Sequence, residues 1–118
     1  MTAALRYNAG KAELSYLLSI PDALTALCKV FAQGAVKYER DNWARGGKPD
    51  TEYLDAALRH LYAAQYEDHD PDTGCSHVAH AVWNLCVLIE LNGKGPTFDP
   101  AFDQVAFTDR YAHRPAAV

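Results

Sequence analysis

Residues 59–84 read RHLYAAQYEDHDPDTGCSHVAHAVWN, and this stretch holds four of the five histidines in the chain. Apolar residues at helical spacing run into it and out of it, and between them lies the turn DHDPDTG. Pro71 and Gly74 cannot sit inside a regular helix without cost, so the stretch reads as helix, acidic turn, helix. Imidazole and carboxylate groups are the common protein ligands for divalent metals and the common proton carriers. A core alone does not require so many of them.

Upstream, Leu54, Leu58 and Leu61 mark one buried stripe, and Ala57 and Ala64 allow tight packing. Asp50 or Thr51 is positioned to cap this helix, with Glu52 in its first turn. Downstream, Thr73 or Ser76 starts a helix in which Val78, Ala81, Val82, Leu85, Leu88 and Ile89 are apolar nearly all round. That composition predicts a central helix, stopped by Gly93. Before both, Pro21 suits a first helical turn, and Leu24, Leu27, Cys28, Phe31 and Ala35 extend a helix from Pro21 to Tyr38. Gly34 within it suggests close approach of another backbone.

The first eighteen residues are irregular, and residues 39–50 form a loop containing Asn42, Gly46, Gly47 and Pro49. Beyond Gly95 come Pro96, Pro100 and Pro115, with a faint helical pattern near Phe102 to Phe107. This part reads as a tail, residues 96–118, packed on the domain or on a second subunit. The expected fold is all-α: a small bundle of three main helices in one domain of 118 residues, with a core over about residues 6–95. So small a domain gains from forming an oligomer.

A net charge of −4 argues against general nucleic-acid binding, which needs a basic face. No apolar run approaches the ~20 residues needed to cross a bilayer. The N-terminus lacks the apolar core of a secretory signal, which points to the cytoplasm. Cys28, Cys75 and Cys86 include no CxxC pair and fit reduced thiols. A zinc site from Cys75, His77 and His80 matches no standard ligand spacing.

His77, His80 and Asn84 are three and four residues apart and share one face of the last main helix. Polar groups on a helix built for burial need partners, and a metal or bound ligand would supply them. Singly, each is as well explained as a hydrogen-bonded core residue or a solvated helix start. Asp55 and Arg59 are spaced as a surface ion pair. His60 and Glu67, seven apart, share a face across Ala63 and Ala64. Either this is a solvated edge, or Glu67 and Asp70 surround a hard cation with His60 or His77. Asp68 and His69 read as a solvated turn, whereas Asp70 and Asp72 flank Pro71 and have a more fixed direction. The pair His69–Asp70 also matches the dipeptide of HD-type metal phosphohydrolases. In the segment from Gly34 to Gly47, Tyr38 and Trp43 are able to stack on a flat ring, Asn42 to pair with a base edge, and Lys37 to meet a phosphate. As isolated residues the two aromatics are equally ordinary core.

Taken together, these motifs resemble the phage dATP/dGTP diphosphohydrolase family of the MazZ type, associated with phages that replace adenine by 2-aminoadenine. The resemblance runs from Arg6, Asn8, Gly10 and Lys11 through Gly34, Ala35, Lys37, Tyr38, Asn42 and Trp43. It continues through Tyr53, Ala56, Arg59 and His60 to Asp70, Pro71, Asp72, Thr73 and Gly74, then His77 and His80, covering about residues 6–92. Asn8 stands where the family pattern has an acid, and Asp72 where it has Glu. The wider group is the MazG-like all-α nucleotide pyrophosphohydrolases, which place metal-binding acids at ExxE and ExxD spacing on two helices; this chain has no ExxE pair.

The resemblance implies hydrolysis of a purine deoxynucleoside triphosphate, dGTP or dATP, to the monophosphate and pyrophosphate by a homodimer or larger homo-oligomer using Mg²⁺, or alternatively Mn²⁺ or Co²⁺. The expected metal ligands are His60, Glu67, Asp70 and His77. Asp72 or His80 is expected to serve as general base or to orient a ligand. Arg59, Lys37 and Lys11 would neutralise phosphate charge, and Asn42 and Trp43 would hold the base. Two other outcomes fit the same residues: an HD-like phosphohydrolase that releases triphosphate, and a non-enzymatic helical module with a structural metal.

Overall fold

The computed structural model describes residues 3–7, 11–93, 99 and 101–112. Its helices are α1 (Pro21–Lys37), α2 (Asp50–Ala63), α3 (His77–Asn92) and α4 (Gln104–Tyr111), with short 3-10 turns at Leu14–Ser19 and Asn42–Arg45. The fold is all-α, as expected. Helix α3 is central: it packs against both α1 and α2.

Each boundary has a local cause. Pro21 opens α1 with its ring-fixed φ, Asp22 lies in its first turn and Lys37 in its last, matching the helix dipole at both ends. Helix α2 begins after Pro49, and no side chain caps it. Asp50 and Thr51 are therefore not caps but first-turn residues, and Asp50 with Glu52 supplies negative charge there instead. Ser76 caps α3, accepting a hydrogen bond from the Ala79 N–H at 3.2 Å. Gly93, at φ +63°, ends α3 in the left-handed conformation that glycine adopts without strain.

The buried apolar set is small. Val30 of α1 meets Cys75 and Ala79, with Ala26 and Trp83 packed against them. Ala57, Ala81 and Val87 are almost wholly covered. The expected leucine stripe of α2 is not in this core: Leu54, Leu58 and Leu61 are exposed, and Tyr53 and Ala57 are buried in their place. On α3, Val78, Val82, Leu85 and Ile89 are likewise exposed. Apolar spacing identifies a face that favours burial without identifying what covers it. Here Ala57, Ala79, Ala81, His77 and Asn84 are among the buried residues of α2 and α3, while both apolar stripes keep much of their surface exposed.

Close approach of another backbone at Gly34 is not seen among the described residues; a Cβ built there meets nothing within 4 Å. The tail differs from a plain irregular segment, because α4 forms with Asp103 capping it through the Ala106 N–H at 2.9 Å. Phe102, Phe107 and Tyr111 pack on one another along α4, whose residues are all exposed. Pro96, Pro100 and Pro115 lie outside the described residues, as do Asn8 and Gly10 of the N-terminal motif. No helix among the described residues is long and apolar enough to cross a membrane.

Candidate functional site

The acidic turn between α2 and α3 is folded by its own backbone. The Asp70 N–H donates to the Cys75 carbonyl at 2.8 Å, Gly74 N–H to the Asp70 carbonyl at 2.8 Å, and His77 N–H to the Asp68 carbonyl at 3.0 Å. His69 and Ser76 form an antiparallel bridge. Gly74 takes φ +72°, where a side chain would be strained. One oxygen of Asp70, Oδ1, accepts from the Asp72 N–H at 2.7 Å. This turn fixes the carboxylate and leaves Oδ2 directed at His60, 4.0 Å from its Nδ1.

Three histidines gather there. The Nδ1 atoms of His60 and His77 are 3.0 Å apart. His80 stacks on His60, with ring centroids at 4.4 Å and planes 7° from parallel. Its Nε2 meets the Thr73 hydroxyl at 2.7 Å, and the same hydroxyl accepts from the Cys75 N–H. On the far side of the buried His77 ring, Nε2 lies 2.9 Å from Glu67 Oε1. Burial pushes the His60 and His80 imidazoles below their ordinary value; His80 adds to this at His60, and Asp70 opposes it at both. Both rings are thereby biased toward the neutral form, whose nitrogen lone pair is able to bind a metal or take a proton.

One ligand atom each from His60, Asp70 and His77 lies within 4.8 Å of the others. Two nitrogens bound to one ion at about 2.1 Å stand roughly 3 Å apart, so the imidazole pair already has a suitable separation. The donor set also fits. Glu67 holds the opposite nitrogen of His77, an arrangement that fixes a ligating imidazole and raises its basicity.

The other sequence-derived candidates are distributed unevenly. Glu67 lies beyond the end of α2, so helical spacing does not relate it to His60; the turn brings it to His77 instead. Asp72 contributes its backbone N–H, while its carboxylate is exposed and makes no hydrogen bond among the described residues. His69 is exposed and takes no part in the cluster. Cys75 packs in the core, away from the imidazole cluster, and all three cysteines are free thiols.

A cavity of about 990 Å³ opens beside the cluster, walled by α1, the Asn42–Arg45 turn, α2 and α3. Asn42, Trp43 and Arg59 line it; Lys11 and Lys37 do not. Lys37 lies over the Tyr38 ring, 5.2 Å from its centroid, and Lys11 is on the exposed stretch before the first turn. Asp55 and Arg59 both line the cavity without an ion pair between them, and the Arg59 guanidinium pairs with no carboxylate among the described residues. Trp83 and Asn84 of α3 line it as well. Asn84 had a signal, its place on the His77–His80 face; Trp83 had none, because an aromatic on an apolar helix reads as core. The cluster residues themselves do not line the cavity; Arg59, next to His60, and Asn84, one turn from His80, connect the two.

Residues 1–101 match the family described as dATP/dGTP diphosphohydrolase, N-terminal. The chain is also 38% identical over 96 residues to the dATP/dGTP diphosphohydrolase of Salmonella phage PMBT28. That match takes in 80% of this chain and 32% of the relative, so the chain spans about a third of the length of the curated relative it matches. No solved structure matches it. With the family pattern extending over the bundle, the acidic turn and the imidazole cluster together, the chain belongs to the dATP/dGTP diphosphohydrolase N-terminal family.

Proposed function

We propose that this chain carries the hydrolysis of purine deoxynucleoside triphosphates, dGTP or dATP, to the monophosphate and pyrophosphate, with a divalent cation held by His60, Asp70 and His77. The observation that carries the reading is the convergence of those three ligand atoms within 4.8 Å, next to a cavity lined by aromatics, by Arg59 and by charged residues of both signs. The substrate class comes from the name of the phage relative, which is about three times as long as the matched region. Two imidazole nitrogens and one carboxylate oxygen suit Mn²⁺ or Co²⁺ better than Mg²⁺, which favours oxygen ligands. A cation bound there would lower the pKa of a water and polarise a phosphate oxygen.

The protein groups divide the remaining work. Asp70, fixed by the Asp72 N–H, and His77, held by Glu67, are oriented as ligands before any ion arrives. Glu67 thus acts through His77 in place of the ligand role expected from sequence. His80 is the better candidate for general base: burial favours its neutral form, and the Thr73 hydroxyl fixes its ring. Asp72, with its carboxylate in solvent, has no such support. Arg59 is free to neutralise charge on the phosphates, and Asn42 and Trp43 to contact the base. Lys11 and Lys37 remain outside this arrangement unless the chain moves.

The exposed stripes Leu54–Leu58–Leu61 and Val78–Val82–Leu85–Ile89 favour a homo-oligomer that covers them. The HD-type alternative is weakened, because its dipeptide would bring both His69 and Asp70 to the metal and His69 faces solvent.

Incubating the full chain with each dNTP and with Mg²⁺, Mn²⁺ or Co²⁺, then separating products by ion exchange, tests the reading. Pyrophosphate with deoxynucleoside monophosphate is expected. Inorganic triphosphate with nucleoside would favour the HD chemistry, and tightly held zinc without turnover would favour a structural metal module.

A further inference from the structure

We propose that Asn84 is a specificity residue whose side-chain carbonyl accepts a hydrogen bond from the exocyclic amino group of a purine base, with Trp83 and Trp43 forming the ring surface beside it. The inference rests on the nucleotide reading above and deepens it.

Asn84 is only 7% exposed, yet it lines the cavity. Its Nδ2 donates to the His80 carbonyl one turn back on α3, at 2.8 Å. That bond fixes which way the amide points, since a flipped amide would set two carbonyl oxygens against each other. The remaining atom, Oδ1, accepts from no group among the described residues. Oδ1 is not sealed in the core, so a ligand N–H entering the cavity is able to reach it.

A second observation concerns the same wall. The indole nitrogens of Trp43 and Trp83 are both buried without an acceptor, and both rings meet Phe31 edge to face, at 6.3 Å and 6.0 Å. The wall therefore holds one unmet acceptor and two unmet donors amid aromatic surface. The indole N–H groups are covered as they stand, so a ligand would reach them only as the rings turn. Asn84 needs no such movement.

An amino-bearing purine has the matching pattern: an N–H₂ donor beside ring-nitrogen acceptors on a flat face large enough for an aromatic wall. Thymine lacks the amino group. The position also suits a base, because Asn84 lies roughly 6 Å along α3 from His80, where a deoxyribose would separate base from phosphates.

The test uses binding without turnover, in EDTA, read from quenching of the two tryptophans in the cavity wall. Two matched pairs are titrated into the full chain: dGTP against dITP, which lacks the 2-amino group, and dATP against deoxynebularine triphosphate, which lacks the 6-amino group. In at least one pair the amino-bearing member is expected to bind about tenfold or more tightly, and Asn84→Ala should close that gap. Equal affinities within both pairs on the wild-type chain would overturn the proposal, and that arm does not depend on a variant folding. A gap that persists unchanged in a folded Asn84→Ala protein would overturn it as well. Turnover without a gap removes Asn84 alone. Neither turnover nor quenching with any nucleotide removes the functional reading along with it.

Discussion

His60 and His77 face each other through their Nδ1 atoms at 3.0 Å, and the Asp70 carboxylate stands 4.0 Å from the first of these nitrogens. Two imidazoles in this arrangement either form a hydrogen bond with each other or direct lone pairs at a common cation. With Glu67 on the other nitrogen of His77, a proton on Nε2 leaves Nδ1 as a lone pair, and the second arrangement becomes available. His77→Ala and Asp70→Ala should each abolish turnover of dGTP, with far-ultraviolet circular dichroism unchanged. Wild-type rates in both variants would remove the site assignment.

Glu67 is half exposed, so replacing it disturbs little of the fold. Its work is to hold the His77 ring. Glu67→Gln should weaken metal binding or activity by about 10–100-fold, the usual effect of removing a carboxylate behind a ligating histidine. Calorimetric titration with Mn²⁺ measures this directly. An unchanged affinity would mean that the carboxylate does not orient the ring.

Burial lowers the pKa of both His60 and His80 from the ordinary 6.5. The unfolded chain then binds protons at a pH where the folded one still resists them. The corresponding stability is fully present above about pH 6.5 and is lost as pH falls through the lowered folded values. Urea midpoints of the metal-free protein should be level above that pH and should decline below it. In a His60→Gln, His80→Gln double variant the decline should be shallower.

Ser76 is the one side-chain cap at the start of the helix that carries His77 and His80. Ser76→Ala should cost about 0.5–2 kcal/mol of stability, measured by chemical denaturation. Ser76→Asp should restore most of it, because a carboxylate accepts the same N–H.

The leucines of α2 and the valines of α3 supply a further check. If a second copy covers them, Leu58→Glu together with Val82→Glu should convert the protein to monomers in sedimentation velocity. An unchanged association state would place the interface elsewhere.

The sequence made some of this legible and left the rest obscure for physical reasons. Pro21, Ser76 and Gly93 mark helix ends because their effects are local, and all three occur where the chain indicates. The gathering of His60, Asp70 and His77 was also readable, since a tight turn between two helices brings its flanks together. Leu54, Leu58 and Leu61 misled because periodicity reports a face and not its neighbour. Glu67 misled because helical spacing was extended past the point where α2 stops. Lys11 and Lys37 offer charge and a place in the family motifs, and neither fixes where a long flexible side chain lies. Trp83 gave no warning, being apolar by composition and brought to the cavity only by the way α1 and the Asn42–Arg45 turn close around it.

The most direct measurement is anomalous diffraction at the manganese edge from crystals grown with Mn²⁺ and a non-hydrolysable dGTP analogue. A peak is expected in contact with His60 Nδ1, His77 Nδ1 and the Asp70 carboxylate, with the analogue's phosphates beside Arg59. Bound nucleotide with no peak at that position, and the two imidazoles still hydrogen-bonded to each other, would contradict the proposed metal centre.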